Sequence, residues 1–203
     1  MHSGNCNNRH GQEHCRKGRF HRGPSSFQMQ DSGLVFEKLD LKQGDMFVDL
    51  GCGGGDYSMH AASIVGESGS IFAVDLWPEM LEKISEDARA VGIHNIRPVV
   101  SDIRKKIEVP DASMDVCLIS TVLHMLDFQR ETDRLFAEIK RILKPRGKLA
   151  VIECKKENSS FGPPMQARIS PEEVEKAFVE FGFSKTDFID LGPNYMVMFV
   201  LSQ

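Results

Sequence analysis

One nonapeptide limits this chain more than any other feature: Val48-Asp49-Leu50-Gly51-Cys52-Gly53-Gly54-Gly55-Asp56. It follows the apolar run Met46–Leu50 and precedes Tyr57–Val65, a stretch that can form a helix. A strand that ends in glycines and turns into a helix is the opening unit of an α/β sheet. Glycine permits the sharp turn, and its missing Cβ lets a ligand approach the backbone. In open α/β sheets the ligand lies beyond the carboxyl ends of the strands.

The rest of the chain continues the alternation. Leu34, Val35 and Leu39 suggest a short helix before the Gly44-Asp45 turn. Ser70–Val74, Ile96–Val100, Met114–Ser120 and Lys148–Glu153 read as strands. Between them, Pro78 starts a helix that runs through Glu79–Val91, proline being harmless at a first helical position. Phe128–Leu143 is a long amphipathic helix with Leu135, Phe136, Ile139, Ile142 and Leu143 on one stripe, stopped by Lys144-Pro145-Arg146-Gly147. Ser170-Pro171-Glu172-Glu173 has the pattern of a capping box and opens another helix, which Gly182 ends. Ser184–Leu191 and Tyr195–Leu201 form a terminal hairpin through Gly192-Pro193-Asn194. Strand runs without polar alternation imply helices on both faces. The expectation is one α/β domain over residues 31–203, a doubly wound and mostly parallel sheet with an antiparallel addition at the end.

Residues 1–30 differ. Arg9, Arg16, Lys17, Arg19 and Arg22 face Glu13 alone there, although the whole chain carries −4. His2, His10, His14 and His21 crowd the same stretch, and no apolar period exists. We read it as an N-terminal arm. A lid over an acceptor pocket and a metal-binding set (Cys6, His10, His14, Cys15) are the other readings, but that spacing matches no zinc pattern. A net charge of −4 argues against a nucleic-acid-coating protein. No apolar run reaches the length of a membrane helix, and a cytoplasmic, reduced chain is expected.

Two acidic residues sharpen the glycine loop. Asp75 ends the second strand at the distance where a carboxylate accepts from ribose hydroxyls. Asp102, in Val100-Ser101-Asp102-Ile103, follows the third strand and can meet an adenine edge. A dinucleotide fingerprint would place glycine where Asp56 stands. A carboxylate at that helix N-terminus opposes a pyrophosphate. It does not oppose a phosphate-free adenosine compound, and Asp49 suits one that bears an ammonium.

These residues resemble those of class I S-adenosylmethionine (SAM)-dependent methyltransferases, over about residues 33–203. Asp49–Gly55 matches the family's first motif, Asp75 the second and Ser101-Asp102 the third. Asp115–Ser120 matches the fourth strand, Leu143–Leu149 the turn before the fifth, and Arg168–Val174 a segment of the ubiquinone/menaquinone-biosynthesis-type small-molecule branch. The resemblance implies a Rossmann-like seven-stranded sheet of order 3-2-1-4-5-7-6 with strand 7 antiparallel. It implies SAM as cofactor, S-adenosylhomocysteine as product and a small-molecule acceptor. The implied cofactor site comprises Asp49, Gly51, Cys52, Gly53, Gly55, Asp75, Leu76, Trp77, Ser101, Asp102, Ile103 and Ser120, with Leu76 and Trp77 on the adenine face. A base is needed only for a protonated nucleophile. Ser120, Thr121, His124, Glu153 and Cys154 are the residues at the right strand ends, and His124 is the catalytic candidate. A SAM-binding protein without catalysis, and a metalloid or thiol-linked methyltransferase using the arm, are the alternatives.

Overall fold

A computed structural model describes residues 25–128, 130–157 and 162–202. Seven strands, β1 (Met46–Leu50), β2 (Ser70–Asp75), β3 (Ile96–Val100), β4 (Met114–Ser120), β5 (Leu143–Cys154), β6 (Phe183–Leu191) and β7 (Asn194–Leu201), form one sheet. Its order is β3-β2-β1-β4-β5-β7-β6. Neighbours from β3 to β5 pair in parallel, and β7 runs antiparallel to both β5 and β6. The expected fold and strand order are those observed.

Side chains alternate across the sheet, so each strand feeds two cores. Val48, Leu50, Cys117, Ile119, Leu149, Val151, Val197 and Phe199 pack on one face against α5 (Thr132–Ile142) and α6 (Pro171–Glu180). Phe47, Ile71, Val116, Leu118, Ala150 and Ile152 pack on the other, against α2 (Ser32–Leu39) and α3 (Asp56–Val65). Leu81 and Ile84 of α4 (Pro78–Ala90) cover Ala73. The capping box of α6 forms as expected, with Ser170 accepting from the Glu173 N–H and Glu173 from the Ser170 N–H.

Three boundaries differ from the sequence expectation. The fifth helix starts at Thr132 rather than Phe128, because Asp127–Glu131 closes a turn of its own through the Glu131 N–H on the Asp127 carbonyl, at 2.8 Å. It also ends at Ile142, because Leu143 already pairs with Met114 and the register shifts before Lys148 joins Val116. Lys144–Gly147 is thus an irregularity within β5, held by Lys144 on Asp115 at 2.7 Å. Lastly, Ser26–Met29 forms a single helical turn, α1, within the stretch read as an N-terminal arm.

Phe178 of α6 sits 4.1 Å from Phe136 of α5, centroid to centroid, and 5.2 Å from Phe199 of β7. It joins both helices of that face to the terminal hairpin. Phe178→Ala should therefore cost about 3–5 kcal/mol of stability in urea unfolding. A loss under about 1 kcal/mol would show that this face holds together without it.

Candidate functional site

The glycine loop is built by close packing as much as by turning. Gly51, Gly53 and Gly55 all have positive φ, at 75°, 51° and 80°. A Cβ on Gly51 would lie 2.5 Å from a Val122 methyl, and one on Gly55 equally close to Ile84. Among the described residues, a Cβ on Gly53 would meet nothing within 4 Å. Two of the glycines are thus required by protein, and the third faces open space.

Asp75 fixes the loop. Its carboxylate accepts from the Gly53 N–H at 2.8 Å and from the Trp77 N–H at 3.1 Å. Its carbonyl accepts from the Ser101 N–H at 2.9 Å. The side chain is buried at the floor of a cleft of about 570 Å³ over the carboxyl ends of the strands. That cleft is lined largely by apolar groups: Leu76, Trp77, Met80, Ile103, Val122, Met125 and Leu126. Leu76, Trp77 and Met125 remain 47%, 44% and 69% exposed. Ser101 and Asp102 line the same cleft. Both Asp102 oxygens are engaged by the Arg104 guanidinium, at 2.9 and 3.1 Å, which holds the carboxyl below its ordinary range.

A smaller, polar cavity of about 160 Å³ adjoins it and shares Gly51, Gly53, Ser120 and Thr121. Ser25, Ser26, Asp49, Cys52, Asp56 and Tyr57 complete its lining. Asp49 points to the α3 face, where it accepts from the Ser58 hydroxyl at 2.7 Å. Burial pushes its carboxyl up to about 7, and the Ser58 hydrogen bond offsets part of that rise. Ser25 and Ser26, at the start of α1, are tied to the rest of the lining: Ser25 donates to Asp56, and the hydroxyls of Ser26 and Ser120 lie 2.8 Å apart. Gln30 donates to the Tyr57 hydroxyl at 2.6 Å and accepts from Asn194 at 2.7 Å. Thr121, β-branched yet at φ 55°, sits where the two cavities meet. Such backbone strain concentrates at functional sites.

Of the expected residues, Gly51, Gly53, Asp75, Leu76, Trp77, Ser101, Asp102, Ile103 and Ser120 line the cleft. Asp49 and Cys52 line the polar cavity. Gly55 lines neither and caps α3 instead. His124 also lines neither; its ring lies 2.8 Å from Glu153. Cys6, His10, His14 and Cys15 lie outside the described residues, and among those described no group of three or more His, Cys, Asp or Glu could hold a metal. Ser25, Ser26, Tyr57, Met80, Arg104 and Met125 were not anticipated. Arg104, two residues beyond Asp102, was the one with a local signal.

A family model for a methyltransferase domain matches residues 48–151. A demethylmenaquinone methyltransferase from Lactobacillus johnsonii is 30% identical over 118 residues, 58% of this chain and 47% of that protein. A ubiquinone/menaquinone biosynthesis C-methyltransferase from Azotobacter vinelandii is 32% identical over 130 residues, 63% of this chain and 49% of that protein. The chain thus spans about half the length of these curated relatives. The crystal structure of a SAM-dependent methyltransferase from Aquifex aeolicus superposes with a TM-score of 0.79 at 28% identity, covering 88% of this chain and 94% of the other. No helix among the described residues is long and apolar enough to cross a membrane.

Asp49 makes stability depend on pH. Its carboxyl titrates near 7 when folded but near its ordinary 3.8 when unfolded. The unfolded chain therefore ionises first, and stability is lost as pH rises from about 4 through about 7. The loss amounts to about 4 kcal/mol at most. Asp49→Asn keeps the Ser58 contact and removes the titration, so urea unfolding from pH 5 to 8 should show the variant gaining on the wild type. Parallel curves would contradict the buried, protonated carboxyl.

Proposed function

The chain belongs to the methyltransferase domain family, and on that premise we propose that it moves a methyl group from SAM to a small-molecule acceptor. The cofactor follows from the family and from the Aquifex aeolicus likeness. The acceptor class is our reading, and the quinone-biosynthesis relatives support it.

The observation that carries the reading is Gly53, whose absent Cβ opens onto the junction of an apolar cleft and a polar cavity. SAM has the same division, an adenosine at one end and a charged amino acid at the other. In this reading the adenosine takes the cleft, with Leu76, Trp77 and Ile103 against the base and Asp75 on the ribose hydroxyls. Asp75 spends one contact per oxygen on the backbone, and a carboxylate has further lone pairs for the ribose. Asp102 and Ser101 serve the adenine edge, with the Asp102 charge shared with Arg104. The amino-acid end takes the polar cavity, beside Cys52, Ser120 and Asp49. An ammonium there would draw Asp49 into its charged form. The cofactor supplies an activated methyl, so the protein's main contribution is alignment. Residues 1–30 stand as an arm before the domain of residues 31–203. The contacts of Ser25, Ser26 and Gln30 support its last residues as a cover over the amino-acid end.

Calorimetry tests this directly. S-adenosylhomocysteine should bind and NAD should not; NAD binding in its place would overturn the reading. Gly53→Ala should cost folding only about 1–2 kcal/mol, the strain of a Cβ at positive φ, since that Cβ meets no atom of the described residues. It should weaken S-adenosylhomocysteine by about tenfold or more, because Cβ enters the ligand's space. Unchanged affinity would remove the loop from the site. A panel of acceptors with methyl-labelled SAM separates an enzyme from a binding protein.

A further inference from the structure

Glu153 ends the regular part of β5 and is completely buried, on the face opposite Asp49. One carboxylate oxygen accepts from the Leu123 N–H at 2.7 Å, with the His124 N–H further off at 3.4 Å. The other lies 2.8 Å from His124 Nδ1. Tyr195, its partner across the ladder, gives its hydroxyl to the Ile169 carbonyl and does not compete. A carboxylate only accepts, so the network assigns the imidazole proton to Nδ1 and leaves Nε2 with a bare lone pair. The ring is 16% exposed and stands at the carboxyl ends of β4 and β5, two residues after Val122 of the cleft.

A neutral oxygen would cap this short turn. Burying a carboxylate is costly unless a positive charge stands or forms beside it. A charge forms here if His124 takes a proton. His124 itself lines neither cavity, but its chain neighbours Val122 and Met125 line the cleft on either side of it.

We propose that Glu153 is a positioning residue that holds His124 with Nε2 free to deprotonate the acceptor, which makes the acceptor a protic nucleophile: a hydroxyl, or a carbon acid conjugated to one. The inference rests on the methyl-transfer reading and deepens it. As the acceptor's electron pair bonds the methyl carbon, the methyl–sulfur bond breaks with its pair kept by sulfur, and the acceptor's proton passes to Nε2 and then to water. Leu123 and the turn need only an acceptor oxygen; the catalytic arrangement needs the charge.

Glu153→Gln separates the two roles. Its carbonyl oxygen can stay on the Leu123 N–H, while its amide turns a donor toward Nδ1. The full chain with ¹⁵N-labelled histidine should show neutral His124 protonated at Nδ1 in the wild type and at Nε2 in the variant. Reaction of Nε2 with diethyl pyrocarbonate, read at His124 by mass spectrometry, should fall in step. For any acceptor the wild type turns over, kcat should drop by about a hundredfold or more with KM for SAM unchanged. Protonation at Nε2 in the wild type, or equal tautomer and reactivity in both proteins, overturns the proposal. If the variant fails to fold, the wild-type tautomer alone decides. Failure of S-adenosylhomocysteine to bind would instead overturn the methyl-transfer reading, because the tautomer is measurable without ligand.

Discussion

The carboxylate of Asp75 holds two backbone N–H groups from different elements, Gly53 after β1 and Trp77 at the entry to α4. Its own carbonyl holds a third, Ser101 after β3. One residue thus ties together the tips of the first three strands. The loop's positive φ angles would otherwise be a conformational liability, since glycine loses the most freedom on folding. Val122 and Ile84 complete the constraint by leaving no room for side chains at Gly51 and Gly55. What remains is one open approach to the backbone, at Gly53.

The alternation of side chains across the sheet distributes charge around that approach. Asp49 falls on the α3 side, where burial keeps its carboxyl largely protonated below about pH 7. Glu153 falls on the side of α5 and α6, where it meets His124. The period of two separates these acids: across β4, Asp49 is in register with Ala150, and Glu153 lies three residues further along β5. On the proposed reading, one face serves the ammonium of the cofactor and the other positions a proton acceptor. Thr121, strained at φ 55°, lies where both cavities meet.

The fold was legible because its strands are short apolar runs and its helices carry clear stops, as at Gly92 and in the Ser170 cap. The order of the strands came from the resemblance, since no local pattern says that β7 lies between β5 and β6. Asp75 and the glycines were legible because they sit in register along the chain. Ser26 and Gln30 were not: Ser26 touches the site through a hydrogen bond to a partner 94 residues away, and Gln30 through two, to Tyr57 and Asn194. Such contacts leave no period in the sequence. Glu153 read as a strand end, because its role depends on a turn that starts 30 residues earlier. The start of α5 was misplaced because Phe128 packs on Phe136 from outside the helix, at 6.1 Å, and so continues its apolar stripe.

The central claim is that the Gly53 backbone, held open by Asp75, faces the cofactor. The most direct measurement is the amide resonance of Gly53 in a ¹H–¹⁵N titration with S-adenosylhomocysteine. The account predicts that the Gly53, Trp77 and Ser101 amides shift together and saturate, while that of His94, at the opposite end of the strands, stays in place. A saturable titration that leaves Gly53 unmoved would contradict it.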